Sequence, residues 1–180
     1  MSNPTLDRLQ LRYAQSTDTN QLVELIESAY RGDSSRAGWT TEADLLDGQR
    51  TDPDEVAAIL RDTNARLLLA LLDGQIVGCV LLRRESAGAY IGMFSVRPTM
   101  QAMGLGRALL SEAERRAKEE FSATKARMTV IEQREELIAW YVRRGYRNTM
   151  LTEPFPYGNS RFGLPKRDDL RFVVLEKPLD

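Results

Sequence analysis

Gln101-Ala102-Met103-Gly104-Leu105-Gly106-Arg107 decides how this chain is read. Before it runs Ala89-Tyr90-Ile91-Gly92-Met93-Phe94-Ser95-Val96, apolar and suited to a strand that Pro98 ends. After it, Leu105, Leu109, Ala113 and Ala117 recur at helical spacing, which predicts a helix over residues 104–119. A glycine-bearing loop that opens a helix leaves several N–H groups without internal partners. With the positive end of the helix dipole, those donors make an anion site. Glycine has no Cβ, so the backbone can approach a bulky phosphate closely. The stretch therefore predicts a phosphate or pyrophosphate ligand, set against the plainer reading that the glycines only separate a strand from a helix.

Working outward, residues 65–72 and 75–84 are two apolar, strand-forming runs joined by Asp73-Gly74, a hairpin signal. Leu9-Gln10-Leu11-Arg12-Tyr13 alternates apolar with polar, as a strand does. Thr17 or Asp18 can cap a helix that carries Leu22, Val23, Leu25, Ile26 and Ala29 on one face. Residues 40–46 read as a short helix stopped by Gly48. Asp52-Pro53-Asp54-Glu55 starts another that runs to about Asp62. Beyond the loop, residues 125–131 form a strand and 135–144 a helix ended by Gly145, while 171–176 form the last strand. Residues 152–168, punctuated by prolines and glycines, show nothing regular and are expected to cover a pocket or to build a dimer contact. One mixed α/β domain over residues 1–180 follows.

Two nucleotide motifs can be weighed for the loop. A P-loop needs Gly-Lys-Ser/Thr, but Arg107-Ala108 follows the last glycine here. A dinucleotide fingerprint needs a third glycine where Leu109 stands. Gln-x-x-Gly-x-Gly after Ser95-Val96-Arg97-Pro98, followed by Arg107-Ala108-Leu109-Leu110, instead resembles the acyl-CoA pyrophosphate loop of the GNAT N-acetyltransferase superfamily. Downstream, Val130, Arg134, Tyr141 and Gly145-Tyr146 are similar to that family's Val-x-x-x-Asn, helical Leu-Tyr and Gly-Phe. The sequence departs at Arg134 (Asn is usual), Trp140 (Leu) and Tyr146 (Phe). The resemblance spans residues 65–146 and implies an α+β fold: a mostly antiparallel twisted sheet flanked by helices. In it the fourth and fifth strands splay apart to form the acyl-CoA cleft.

Composition narrows the function. The 180 residues carry 25 Lys+Arg against 26 Asp+Glu, so no overall basic field exists to hold nucleic acid. No apolar run approaches the ~20 residues of a membrane span. Residues 1–7 lack the pattern of a signal peptide. Cys79 is alone, which suits a reducing cytoplasm. Histidine is absent, which removes Ser-His-Asp, Cys-His and His-based zinc chemistry, and no metal is expected. Any proton transfer falls to Asp, Glu, Tyr, Lys, Cys or water.

By position, the amides of Ala102, Met103, Gly104, Leu105, Gly106 and Arg107 face the pyrophosphate, with Gln101 starting the loop. The resemblance implies that backbone groups of Phe94 and Val96 pair with the pantetheine arm. It also implies an oxyanion donor at the N–H of Phe94 or Ser95, and Tyr141 as the acid that meets the leaving thiolate. The plain alternative for Tyr141 is a core tyrosine beside Trp140. Glu132 and Glu42 are base candidates, and Trp39, Glu42 and Asp44 are candidate acceptor contacts, since an aromatic beside a carboxylate suits a cationic amine. Arg134 reaches a phosphate, reaches a substrate carboxylate, or sits in solvent. These readings predict an acetyl-CoA-dependent N-acetyltransferase that acetylates an amine of a small molecule, peptide or protein directly. The rival is a sensor that binds acyl-CoA without turnover.

Overall fold

In the computed structural model, which describes residues 4–180, strand β1 (Leu9–Tyr13) leads into helix α1 (Thr19–Tyr30) and then α2 (Pro53–Arg61). The first three residues of the segment read as lacking a leader lie outside the described part. Next come β2 (Ala65–Leu72), β3 (Gln75–Glu85), β4 (Gly88–Val96) and helix α3 (Leu105–Phe121). Strand β5 (Lys125–Ile131), helix α4 (Glu135–Val142), β6 (Arg147–Pro154) and β7 (Arg171–Pro178) complete the main elements. The strands form one seven-stranded sheet in the order β1-β2-β3-β4-β5-β7-β6, antiparallel except where β4 meets β5.

The side-chain period of two in β2 sets the layers. Leu67, Leu69 and Leu71 pack on one face with Leu22, Leu25 and Ile26 of α1 and Val56 and Ile59 of α2. Leu68 and Ala70 pack on the other face with Leu105, Leu109, Ala113 and Ala117 of α3. A strand buried on both faces reads as a continuous apolar run, as β2 does. Asp52 caps α2 as expected, its carboxylate accepting from the Glu55 amide at 2.7 Å. Asp18 stands at the start of α1, but its carboxylate serves Arg12 (2.8 and 2.9 Å) and the Gln15 amide (2.8 Å).

Two features of β4 position the site. First, β3 pairs Cys79 with Ser95 and Leu81 with Gly92, so Val80 alone opposes both Met93 and Phe94. Met93 takes φ 46 at this bulge, and a bulge bends the strand that carries it. Second, β4 and β5 pair only at Ala89–Ala126 and Tyr90–Arg127. At the root of that junction, a Cβ on Gly88 would sit 2.4 Å from the Lys125 carbonyl oxygen, so only glycine permits the approach. Beyond it the two strands separate, as expected of the fourth and fifth strands.

Two segments differ from the reading of the sequence. Residues 40–46 form no helix. One turn forms (Leu46 N–H to Glu42 C=O, 2.9 Å), and Leu46–Asp47 then pairs antiparallel with Leu164–Pro165. Tertiary contacts win: Glu42 is drawn inward by two arginines, and Lys166 donates from Nζ to the Ala43 carbonyl (2.8 Å) and from its amide to that of Leu45 (2.9 Å). The segment 152–168 is therefore not wholly irregular; it holds the end of β6, a turn at Ser160–Phe162 and that small strand. Among the described residues, no helix is long and apolar enough to cross a membrane.

Candidate active site

The loop closes on the helix as its glycines require. Pro98–Met103 forms a tight helical turn, Gly104 takes φ 82, and α3 begins at Leu105. A φ of that sign is open to glycine at little cost. The first bond of the new turn runs from the Ala108 amide to the Gly104 carbonyl at 3.1 Å, so the amides ahead of it lack a helical acceptor. Gly104, Gly106 and Arg107 of this turn border a cavity of about 450 Å3 that is also lined by Phe94, Val96, Trp140 and Tyr141. A Cβ on Gly106 would project among Phe94, Val96 and Trp140 at 3.6–3.7 Å, into this space. The missing methyl thus leaves a cradle beside the loop. Arg107, Arg143 and Arg144 also line the cavity. Burial and the charges of Arg143 and Arg107 hold the Arg144 guanidinium below its ordinary pKa, a mark of a positive surrounding. Arg144 lies over the Trp140 ring at 3.4 Å and donates to the Trp140 carbonyl at 2.8 Å. Arginines, the amides at the helix start and a glycine cradle together fit a diphosphate.

The other residues expected at the donor are placed less simply. Leu105 is fully buried, Met103 is exposed, and neither lines the cavity. Gln101 does not reach into the loop. Its amide donates to the Val96 carbonyl (3.2 Å), and its oxygen accepts from the Trp39 amide (3.0 Å). Gln101 clips the segment of Trp39 to the end of β4. The Phe94 carbonyl accepts from the Tyr30 hydroxyl at 3.1 Å. Ser95 is buried, its hydroxyl donating to the Met93 carbonyl at 3.0 Å, and so satisfies the bulge.

A second cavity of about 350 Å3 lies further in. It shares Tyr30, Phe94, Arg134, Leu137 and Tyr141 with the first. Apolar side chains line much of it, including Ile91, Met128, Val130, Phe155 and Phe172. Tyr141 is buried, against Trp140 (ring centroids 5.1 Å apart) and Phe94 (6.3 Å). Its hydroxyl hydrogen-bonds to no group among the described residues, and burial pushes its pKa above the ordinary phenol value.

Arg134 is not in solvent. It is buried, donating to Glu42 Oε1 and to the Thr40 hydroxyl, each at 2.9 Å. Glu42 Oε2 accepts from Arg31 at 2.5 Å. Burial alone would raise the Glu42 pKa, but Arg134, Arg31 and Arg50 outweigh it and hold the carboxyl below its ordinary value. Glu42 is thus a lining residue of the inner cavity but an occupied carboxylate. Glu132 lines neither cavity; it is exposed in a two-point pair with Arg171 (2.6 and 2.7 Å). Asp44 also points away, exposed and paired with Arg36 at 2.8 Å. Trp39 borders the loop-side cavity, 6.3 Å from Trp140, rather than the inner one. Cys79 is fully buried, which pushes its thiol up to about 12, so it offers no nucleophile.

Several lining residues escape a reading of the sequence. Tyr30 is the last residue of α1 and looks like an ordinary core aromatic. Arg31 and Arg50 lie in segments without periodicity. The Arg143-Arg144 pair two residues after the helix tyrosine is the one signal that a search for phosphate partners could have used. Residues 155–165 roof the inner cavity through Phe155 and Phe162. Arg161 anchors that roof to Asp52 with two contacts of 3.0 Å, and Arg31 reaches the Phe162 carbonyl at 3.3 Å.

Among curated proteins, none matches the sequence well enough to count as a relative. Solved structures do match its shape. A ribosomal-protein-alanine N-acetyltransferase from Brucella melitensis superposes with a TM-score of 0.70 at 18% identity, covering 94% of this chain and 99% of that one. A spermidine N-acetyltransferase chimera from Vibrio cholerae and hSSAT gives 0.69 at 16%, covering 96% of each. A putative streptothricin acetyltransferase from Bacillus anthracis, in complex with acetyl coenzyme A, gives 0.57 at 19%, covering 69% of this chain and 68% of that one. At such identities these likenesses speak for the fold. The model of the Acetyltransferase (GNAT) family matches residues 20–146, a span that holds the bulged β4, the glycine loop and the Tyr141 helix together. With that span well over half its length, the chain belongs to the GNAT acetyltransferase family.

Proposed function

We propose that this protein transfers the acetyl group of acetyl-CoA directly to an amine. The observation that carries the reading is the junction of two cavities: one bordered by loop amides and arginines, the other apolar and roofed, meeting at Phe94 and Tyr141. Acetyl-CoA, the donor substrate, supplies an acyl carbon activated as a thioester. The amides of residues 102–107, with Arg107, Arg143 and Arg144, hold its diphosphate, and the Gly106 cradle admits the chain that follows. The acceptor occupies the inner cavity. Its nitrogen forms the C–N bond as the C–S bond breaks, an N–H of Phe94 or Ser95 meets the thioester oxygen, and Tyr141 meets the sulfur. The proton lost by the amine balances the one gained by the thiolate.

Tyr141 acts here as a hydrogen-bond donor. An ordinary phenol at pKa ≈ 10 is already weaker than a thiol at ≈ 8.5, and burial widens that gap. Deprotonation of the amine needs no dedicated carboxylate. A lysine-like amine costs about 4 kcal/mol to deprotonate at pH ~7.4. Three guanidiniums around the inner cavity, against the buried carboxylate of Glu42 and a Glu153 already paired with Arg127 at the rim, raise the energy of an ammonium ion and favour the neutral amine, whose proton leaves to water.

Titration with acetyl-CoA, followed by an amine panel with free thiol as readout, tests the reading. Saturable binding and thiol release with some amine are expected. No binding sinks it, and binding without turnover on any amine leaves the sensor.

A further inference from the structure

Resting on this acetyl-transfer reading, we infer that the acceptor is a small amino-carboxylate: an amine that also carries an anionic oxygen group, with an apolar side chain, seated by Arg50. Arg50 lines the inner cavity. Its backbone amide is held by Glu27 (2.6 Å), but among the described residues no ion pair or hydrogen bond engages its guanidinium. That group lies 5.1 Å from the centroid of the Tyr30 ring. Glu42 and then Glu55, on α2, act on it only through space; the Glu55 carboxylate accepts from the Thr51 hydroxyl at 2.6 Å.

Charge around the cavity points the same way. Arg31 and Arg134 share the single carboxylate of Glu42. Glu153, at the rim, is exposed and committed to Arg127 at 2.8 Å. The Nε of Arg134 is buried without a partner, on a side chain that lines both cavities. Buried donors left unmatched cost free energy, and an oxyanion supplies what they lack. The same positive excess opposes a polycationic acceptor.

Geometry fits one small molecule. The hydroxyl of Tyr30 donates to the Phe94 carbonyl, at the point where the cavities meet, while its ring faces Arg50. The anion seat and the transfer point thus border the same tyrosine side chain, so one small molecule can touch both. Ile91, Met93, Met128 and Phe155 leave the remaining wall apolar.

The test uses matched pairs: phenylalanine with phenethylamine, leucine with 3-methylbutylamine, and spermidine as the polycation. Acetyl-CoA affinity is measured on each variant to report an intact fold. In the wild type, kcat/KM for the amino acid should exceed that of its decarboxylated partner by about tenfold or more, the size of one charge-assisted contact. In Arg50→Gln that ratio should collapse towards one through KM, and Arg50→Lys should keep part of it. Equal or better use of the decarboxylated amines, a preference for spermidine, or a ratio that survives Arg50→Gln overturns the inference. So does acetyl-CoA binding with no acetylation of either amino acid, an outcome that leaves the transfer reading to other amines. Failure to bind acetyl-CoA removes both.

Discussion

A carboxylate clasped by two guanidiniums is a poor proton acceptor, and Arg31 and Arg134 keep Glu42 in that position. Its role is to hold the wall of the inner cavity. Glu42→Ala should cost about 3–5 kcal/mol in denaturant unfolding, because two buried cations lose their partner. The pH sign follows from the depressed pKa of Glu42. Its stabilisation is fully present above the unfolded carboxyl value of ≈ 4.3 and is lost as pH falls through the lower folded value. The stability gap between wild type and Glu42→Gln should therefore narrow in acid below that value; a gap that widens there refutes the assignment. Tyr141→Phe keeps the ring packing and removes the free hydroxyl. It should lower kcat by ~10²-fold, the low end for a proton-handling group, with little change in acetyl-CoA affinity. Neither surrounding could be read in advance. Glu42 and Tyr141 were legible as residue types, but the partners that decide their chemistry come from distant segments.

Elements whose pattern is set locally were legible, and those set by partners were not. The Asp73-Gly74 hairpin shows positive φ at both residues (51 and 80), as that pair favours, and β2, β3 and β4 follow their apolar runs. Strand β6 gave no signal. It is an edge strand exposed along almost its whole length, with Met150 at φ 65 and a register shift between Asn148 and Thr152, so no face needs to be apolar. The glycine loop before α3 was legible because it is one contiguous turn. Its glycines also permit a test with opposed readouts. A methyl at Gly106 meets only ordinary contacts, and alanine suits a helix better than glycine. Gly106→Ala should therefore raise stability by about 0.5–1 kcal/mol while it weakens acetyl-CoA binding, read by thermal unfolding and titration. Tighter or unchanged binding argues that the cradle is not where the donor lies.

At the scale of the whole molecule, a net charge of -1 conceals a strongly uneven distribution. Arg107, Arg143 and Arg144 gather at one mouth and Arg31, Arg50 and Arg134 around the inner cavity, while exposed acids elsewhere are largely spent in surface pairs. Acetyl-CoA affinity should fall as salt rises from low ionic strength through ~0.15 M, since exposed charges at the mouth are screened within about 8 Å. An affinity insensitive to salt would mean that the mouth does not hold the phosphates. This asymmetry could not be seen in a composition that sums to near neutrality. The seam between β4 and β5 has its own consequence. In the backbone ladder, only two residue pairs join the strands β1 to β4 to the strands β5, β7 and β6. A donor lodged across that seam rivets the two halves, adding about 2.7 kcal/mol of resistance to opening at a hundredfold excess over its Kd. Mild proteolysis and amide exchange should then slow in step with the acetyl-CoA supply, so that the protein's lifetime under attack becomes a gauge of its own donor.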